Sequence, residues 1–189
     1  MRDGQLSAVA GLKPVEVLLD EEQIQTMVKR IASDITRDYA GKEILMICVL
    51  KGAFVFMSDL VREVDLHVQT EFMAVSSYQG SKSTGVVRII KDVDQDISDK
   101  HVIIVEDIID TGLTLKKLTE LLQTRRPASL ELCTAFDKPS RRKVDIDVRY
   151  KGIEIPDRFV VGYGLDYDGQ YRNLNKLYVI GDEQDEVCS

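Results

Sequence analysis

The chain is organised around one segment of thirteen residues, Val102-Ile103-Ile104-Val105-Glu106-Asp107-Ile108-Ile109-Asp110-Thr111-Gly112-Leu113-Thr114. Its four leading apolar residues predict a strand that is buried on both faces, as in a parallel sheet. Two adjacent carboxylates follow where this strand is expected to end, and Asp110 comes three residues after them. The leucines that continue beyond the segment lie at helical spacing. The segment therefore predicts a strand, an acidic tip, a turn of small residues and a helix.

The turn from Thr111 to Thr114 has the composition of a phosphate-binding loop. Gly112 permits close backbone approach, the threonine hydroxyls can donate, and a helix N-terminus presents free N–H groups to an anion. The Walker motif is absent, and a dinucleotide fingerprint would need three glycines where this turn has one. The neighbouring carboxylates could hold sugar hydroxyls, a divalent cation or a proton. The alternative interpretation is an ordinary buried strand with a solvated acidic end.

The same segment resembles the phosphoribosyl-diphosphate signature of type I phosphoribosyltransferases, with Glu106-Asp107 and Asp110-Thr111-Gly112-Leu113-Thr114 in the order of that signature. The resemblance implies that the turn binds the 5′-phosphate, and that Glu106 and Asp107 face the ribose diol and metal-bound water. It also implies an α/β fold, in which helices flank a twisted, mainly parallel sheet and the N- and C-terminal segments form a small hood. Leu113 stands where some members of the family have lysine. A side chain that points away from the phosphate would tolerate this difference.

Length and composition predict a single domain, residues 1–189. The chain is 44% hydrophobic and 30% charged, and its 189 residues are enough for a sizeable core. We expect the core to span about residues 38–150 and the hood to comprise about residues 15–37 and 151–189. Residues 1–14 are expected to be a loose leader.

Charge and hydropathy exclude several classes of partner. The net charge of −7 and the pI of about 4.9 argue against a nucleic-acid partner, which usually requires a basic face. No apolar run reaches the ~20 residues of a membrane span, and the N-terminus lacks the apolar stretch of a secretion signal. The three cysteines have no metal-binding spacing. A cytoplasmic, reducing location is therefore expected.

A second strand–turn–helix junction contains Lys51 and Gly52. The apolar run Ile44–Val49 predicts a buried strand that leads into this turn, and a helix is expected after it. Because ligands collect at the carboxyl ends of parallel strands, both junctions should open on one crevice. Lys51-Gly52 resembles the loop with which purine phosphoribosyltransferases contact pyrophosphate. That family has a non-proline cis peptide there, which would fall between Leu50 and Lys51; the alternative is an ordinary surface lysine.

Periodicity predicts the remaining elements. Asp20 and Gln23 have capping-box spacing at the start of a helix predicted for residues 20–39. Alternating apolar residues predict strands at 66–74, 86–90, 130–136, 144–150, 159–164 and 177–181. The acidic residues between 92 and 99 are expected to form a solvated connector, His67 and His101 to be structural, and Arg141 and Arg142 to be solvated.

The polar stretch from Ser76 to Gly85 separates two predicted strands. A hairpin connection of this length and polarity is either disordered or a lid. The residues alone favour disorder. The resemblance instead implies a mobile lid in which Ser77 and Tyr78 close over the reacting groups, excluding water that would hydrolyse the activated sugar.

The resemblance also assigns roles in the last third of the chain. It implies that Lys138 hydrogen-bonds the exocyclic oxygen of a 6-oxopurine, that Phe159 stacks on the base, and that Val160 offers backbone groups to the edge of the base. It further implies that Asp166 holds a magnesium shell and that Arg172 contacts pyrophosphate. Without the resemblance, the residues here predict only a strand and a polar loop.

The reaction implied is the purine-salvage step in which phosphoribosyl diphosphate and a 6-oxopurine, hypoxanthine and also guanine, give a nucleoside monophosphate and pyrophosphate with Mg2+. Asp110 is the predicted acceptor of the purine proton. An adenine or pyrimidine transferase is disfavoured by Lys138, while the order of preference among hypoxanthine, guanine and xanthine stays open. The resemblance also implies a homodimer or homotetramer.

An alternative from another functional class uses the same fold. Some type I proteins are regulators that bind the sugar diphosphate and a nucleic acid. The acidic charge, together with Asp110 and Lys138, argues against this alternative. We therefore expect a transferase with no nucleic-acid partner and no membrane contact.

Overall fold

The computed structural model describes residues 12–77 and 87–182. Its strands are β1 Leu12–Leu19, β2 Ile44–Leu50, β3 Val68–Ser77, β4 Val87–Lys91, β5 His101–Ile109, β6 Ser129–Asp137, β7 Tyr150–Glu154, β8 Val160–Val161 and β9 Leu177–Asp182. Its α-helices are α1 Glu21–Asp38, α2 Phe54–Glu63 and α3 Leu113–Gln123. Short connections after β2 and β5 lead directly into α2 and α3.

These strands form two sheets. The larger has the order β4-β3-β2-β5-β6-β7, and all neighbours are parallel except β4, which pairs antiparallel with β3. The carboxyl ends of β2, β5 and β6 therefore meet at one edge. The smaller, antiparallel sheet has the order β1-β9-β8 and is built from the N- and C-terminal segments, as expected for the hood. The proposed boundary between core and hood stays a prediction, and α1 packs beside α2 and β7.

The central strands are buried on both faces, as the apolar runs predict. One face of β2 presents Ile44, Met46 and Cys48 to the cluster beneath α1 and α2. The opposite face presents residues 45, 47 and 49 to the cluster beneath α3. Since helices cover both sides, continuous rather than alternating hydrophobicity is what these strands require.

Helix α1 confirms its predicted cap and apolar stripe. The Asp20 side chain accepts from the backbone N–H of Gln23, and the Gln23 side chain accepts from the backbone N–H of Asp20. These reciprocal bonds satisfy N-terminal donors that no helical carbonyl can reach. The buried residues of the helix are Ile24, Met27, Val28, Ile31, Ala32 and Ile35.

Three expectations about the elements were wrong. Residues 12–14, assigned to the loose leader, belong to β1, which was not predicted. The strand expected at 144–150 is instead Tyr150–Glu154, because Ile146 and Val148 pack against the α3-side cluster rather than in a sheet. Strand β5 also continues past the acidic pair to Ile109, since β6 pairs with it as far as Ile109↔Asp137.

Candidate active site

A cavity of about 230 Å³ lies at the carboxyl ends of β2 and β5. Its walls include five of the predicted site residues, which are Glu106, Asp110, Thr111, Gly112 and Thr114. Leu113 is not among the lining residues, and its side chain is 38% exposed. The expectation that a lysine is not needed there stays a prediction.

The turn between β5 and α3 has the backbone that a phosphate loop requires. Gly112 has φ of 77°, in the left-handed region, and immediately precedes the helix. A Cβ atom at this position would lie 3.2 Å from both Arg142 and Val144. The first helical bond runs from the Lys116 N–H to the Gly112 carbonyl, so the N–H groups before it have no helical acceptor. The Leu113 N–H donates to Thr111 Oγ1 at 3.4 Å, and the turn lies at the positive end of a helix dipole.

The acidic pair lies in the last part of β5, and both residues are partly buried. Glu106 Oε2 is buried, and it has no hydrogen-bond partner among the described residues. Burial, and then the neighbouring Asp107, raise the pKa of Glu106 well above its ordinary value. Burial raises the pKa of Asp107 to about 6, although a backbone N–H bond from Ile108 and the charge of Arg172 oppose the rise. Both carboxylates are thus placed where a bound cation or hydroxyl donors would stabilise their charged forms.

The predicted pyrophosphate loop packs directly against this pair. The peptide bond between Leu50 and Lys51 is cis, as the resemblance implied. A Cβ atom on Gly52 would lie 1.3 Å from Asp107 Oδ2, so only glycine leaves room for the carboxylate. A Cβ atom on Gly164, where φ is 95°, would lie 2.1 Å from the Gly52 carbonyl oxygen. Gly164 therefore joins the C-terminal segment to this loop by backbone contact.

Arg172 and Asp166 form an ion pair beside the loop. Arg172 Nη2 lies 2.6 Å from Asp166 Oδ1, and Nη1 donates to the Gly164 carbonyl at 2.6 Å. Asp166 Oδ2 accepts from the Gly169 N–H at 2.8 Å. The charges of Arg172 and Asp166 both act on the pKa of Asp107, the first lowering it and the second raising it. The structure thus brings the predicted pyrophosphate and metal residues to one place.

The predicted purine-binding residues lie on the segments after β6 and at the start of β8. Lys138 Nζ donates to the Arg158 carbonyl at 2.7 Å, which ties the end of β6 to the residues before Phe159. The Phe159 ring is 55% exposed and meets the Tyr167 ring edge to face, with centroids 5.7 Å apart. Val160 is buried in β8. An exposed aromatic ring, one residue after the carbonyl that binds the lysine ammonium, is a suitable surface for a flat, polar base.

The expectation that Arg141 and Arg142 are solvated is confirmed for Arg141, which is exposed although it pairs with Asp110, and was wrong for Arg142. Arg141 Nε donates to Asp110 Oδ1 at 2.8 Å. Arg142 pairs with the buried carboxylate of Asp137, and its Nη1 donates to the Asp110 carbonyl at 3.3 Å. Sequence reasoning missed these contacts because the segment after Lys138 has no periodic pattern. The strand-end acid Asp137, next to Lys138, was the available signal.

A family model described as the phosphoribosyl transferase domain matches residues 14–168. The chain belongs to the phosphoribosyltransferase family. Its larger sheet, with β4 as the antiparallel edge strand and helices on both faces, is the type I phosphoribosyltransferase fold.

Two relatives of this phosphoribosyltransferase carry the name hypoxanthine-guanine phosphoribosyltransferase. A hypoxanthine-guanine phosphoribosyltransferase from Staphylococcus aureus is 54% identical over 160 residues, which are 84% of this chain and 89% of the relative. The protein of that name from Staphylococcus epidermidis is 52% identical over 159 residues, again 84% of this chain and 89% of the relative. Neither name indicates a nucleic-acid-binding regulator.

Solved structures agree with this membership. A hypoxanthine phosphoribosyltransferase from Staphylococcus aureus superimposes with a TM-score of 0.86 at 51% identity, over 93% of this chain and 95% of the other. A hypoxanthine-guanine phosphoribosyltransferase from Bacillus anthracis gives a TM-score of 0.84 at 45% identity, over 90% and 99% of the two chains.

The predicted lid lies largely outside the described residues of this phosphoribosyltransferase. Tyr78 falls in the gap between 77 and 87, and Ser77 is the last residue of β3. The strand that leads to this gap borders the cavity through Val75. The role of Ser77 and Tyr78 stays a prediction. None of the helices in residues 12–77 and 87–182 is long and apolar enough to cross a membrane.

Proposed function

We propose that this phosphoribosyltransferase transfers the 5-phosphoribosyl group from phosphoribosyl diphosphate to N9 of hypoxanthine, and of guanine, in purine salvage. The products are IMP or GMP and pyrophosphate. The observation that carries the proposal is the contact between Asp107 and Gly52, which joins the sugar-binding acids to the pyrophosphate loop. The phosphate turn lies at the other end of the same acidic segment. The 5′-phosphate and the pyrophosphate group of one ligand would thus each have a separate binding site.

The sugar diphosphate would be held along the carboxyl edge of the sheet. The turn residues Thr111, Gly112, Leu113 and Thr114 bind the 5′-phosphate through N–H and hydroxyl donors. Glu106 and Asp107 accept from the ribose hydroxyls. Lys51, Gly52 and Arg172 bind the pyrophosphate and stabilise the charge it gains on leaving, as the anomeric carbon becomes oxocarbenium-like.

The acids near Gly52 fit a magnesium ion that arrives with the substrate. In the described part of the chain, no three acidic, histidine or cysteine side chains form a metal site by themselves. Mg2+ commonly keeps several waters and uses one or two carboxylates together with substrate phosphates, so a complete protein cage is not required. Glu106, Asp107 and Asp166 would hold it, and the unpartnered Glu106 oxygen is a suitable hard ligand. When bound, the ion would neutralise charge on the diphosphate.

The purine would bind against Phe159, with its edge toward the backbone of Val160. Lys138 would donate to the exocyclic oxygen, and adenine, which has an amino group there, would leave that ammonium unpaired. Asp110 would accept the proton that the attacking purine nitrogen loses. Lid closure by Ser77 and Tyr78 would exclude water from the reacting carbon.

We infer further that the enzyme is a cytoplasmic homodimer or homotetramer. Self-association would cover large apolar side chains that remain exposed on the described surface. Phe54 is 44% exposed, Phe72 is 40% exposed and Ile90 is 68% exposed. Exposed apolar surface of this kind is typical of protein contacts when it forms a continuous patch. Sedimentation at several concentrations tests the oligomeric state.

The test of the proposed reaction is release of pyrophosphate with Mg2+ and phosphoribosyl diphosphate, offering hypoxanthine, guanine, xanthine and adenine separately. We expect turnover with hypoxanthine and guanine and none with adenine. Asp110→Asn should lower kcat by about 10²- to 10⁴-fold, the usual contribution of a general base. Absence of turnover with every base, despite tight binding of the sugar diphosphate, would refute the proposal.

A further inference from the structure

We propose that Arg141 is a positioning residue, which holds the Asp110 carboxylate in the orientation from which it accepts the purine proton; this inference rests on the proposed function. Arg141 Nε donates to Asp110 Oδ1 at 2.8 Å, and Nη2 donates to Oδ2 at 3.4 Å. The two contacts engage both carboxylate oxygens from one side. They fix the plane of the carboxylate rather than only its position.

Asp110 needs such a restraint because of where it lies. It follows the last residue of β5, in the turn before Gly112, and its side chain is 44% exposed. A general base must come within about 2.6–3.2 Å of the atom whose proton it takes. Each carboxylate oxygen has two lone pairs, so both contacts with Arg141 leave acceptor sites free for a purine N–H. Arg141 can therefore orient Asp110 without occupying it.

Arg141 is itself held by the purine-binding segment. Its Nη1 lies 3.5 Å from Asp157 Oδ2, and its backbone N–H donates to the Lys138 carbonyl at 3.0 Å. Asp157 is two residues before Phe159. Arg141 thus connects the proton acceptor to the residues proposed to bind the base. The side chain that orients Asp110 is thus anchored next to the segment proposed to bind the purine.

The contact is suited to positioning and poorly suited to blocking the site. The side chains of Arg141 and Asp110 are 48% and 44% exposed, and ion pairs at this exposure are weak. Both side chains remain accessible, so Asp110 can contact a bound purine while it is paired with Arg141. The hydrogen bond that Arg141 donates to Asp110 also raises the pKa of Arg141 above its usual value, so the guanidinium stays charged at any working pH.

The experiment measures kcat and KM for Arg141→Ala and Arg141→Lys, each in the wild-type and Asp110→Asn backgrounds. We expect Arg141→Ala to lower kcat by about 10- to 100-fold, since misplacement of a reacting group by about 1 Å can cost 10²-fold. KM for phosphoribosyl diphosphate should stay within about twofold, and Arg141→Lys should restore part of the rate. In the Asp110→Asn background, Arg141→Ala should cause no further loss, because Arg141 acts through Asp110.

Arg149→Ala is the matched control. Arg149 is 49% exposed and pairs with Asp38, which lies outside the site. This variant should keep the wild-type kcat. An unchanged or raised kcat in Arg141→Ala would overturn the inference, as would an equal fold loss in the two backgrounds. Absence of wild-type turnover with 6-oxopurines would instead overturn the proposed function, so the two failures are distinguishable.

Discussion

The carboxylate of Asp107 lies directly against the α-carbon of Gly52, so close that a Cβ atom there would stand 1.3 Å from Oδ2. Asp107 belongs to β5, whereas Gly52 follows β2. The two residues are neighbours because β2 and β5 pair in parallel and end at the same edge of the sheet. Under the proposed function, this van der Waals contact would couple binding of the ribose to binding of the pyrophosphate.

Because of this contact, Gly52→Ala should impair the binding of phosphoribosyl diphosphate without unfolding the protein. The new methyl group displaces the end of the Asp107 side chain, while the backbone around it can remain in place. We expect a folded protein whose KM for phosphoribosyl diphosphate rises by at least about tenfold, since misplacement of positioning groups is costly. Gly41→Ala is the control, because a Cβ atom at Gly41 meets nothing within 4 Å. It should lose some stability, since its φ is 74°, and keep its KM.

Replacement of Lys138 by alanine should weaken discrimination by the purine site. A hydrogen bond to a charged group is worth about 1.5–3 kcal/mol, so kcat/KM for hypoxanthine should fall by about 10- to 150-fold. Adenine is expected to give no turnover, so its binding is followed through inhibition of the hypoxanthine reaction, which should not weaken. Steady-state kinetics with hypoxanthine, with and without adenine, measures both effects, with Lys29→Ala, at an exposed position on α1, as the control. An equal loss of hypoxanthine turnover and of adenine inhibition would assign Lys138 a structural role.

The buried pair of Asp137 and Arg142 should matter for stability. Asp137 is 1% exposed, and Arg142 supplies its closest cation, with Lys151 at 3.4 Å. Arg142→Ala leaves a buried carboxylate poorly compensated, so the free energy of unfolding should fall by about 3–5 kcal/mol. Arg125→Ala removes the partner of Asp92. This ion pair is more exposed than that of Asp137, so its loss should cost about 1 kcal/mol or less. Urea denaturation of both variants measures the difference; equal losses would contradict the assignment.

Titration of Asp107 should also make the free energy of unfolding depend on pH in the absence of ligand and metal. Its pKa is about 6 in the folded protein and about 3.9 in an unfolded chain, so the folded protein holds the proton more tightly. The contribution of the Asp107 carboxyl to the free energy of unfolding is fully present below about pH 4 and is lost as the pH rises through 6. Asp107→Asn should therefore gain stability relative to wild type across this window, by about 3 kcal/mol at most.

Asp96 provides a control of opposite sign for that measurement. Hydrogen bonds from Ser98 lower the pKa of Asp96. Its contribution is present at neutral pH and is lost as the pH falls through the folded pKa. Asp96→Asn should therefore lose stability relative to wild type as the pH rises. Parallel pH profiles for the two variants would refute the assigned cause of the Asp107 shift.

The sequence by itself was sufficient for the elements with strong local signals. The apolar run at 102–105 predicted a strand buried on both faces, and Asp20 with Gln23 predicted the start of α1. The composition of the turn at Gly112 predicted a phosphate-binding loop. Each of these depends on residues that are close in the chain, where local geometry and hydrophobic periodicity dominate. The resemblance to type I phosphoribosyltransferases supplied the cis peptide after Leu50.

Contacts between distant segments were decided only by the tertiary structure. The two strand–turn–helix junctions predicted one shared crevice, but no pattern in the sequence predicts the contacts of Gly52 with Asp107, Gly164 with Gly52, or Arg141 with Asp110. β1 was missed because it is stabilised by pairing with β9, which follows it by more than 150 residues. The buried setting that raises the pKa of Asp107 likewise depends on packing around a strand end. Such properties arise from which strand ends meet at the sheet edge, and that arrangement is fixed by the folded core as a whole.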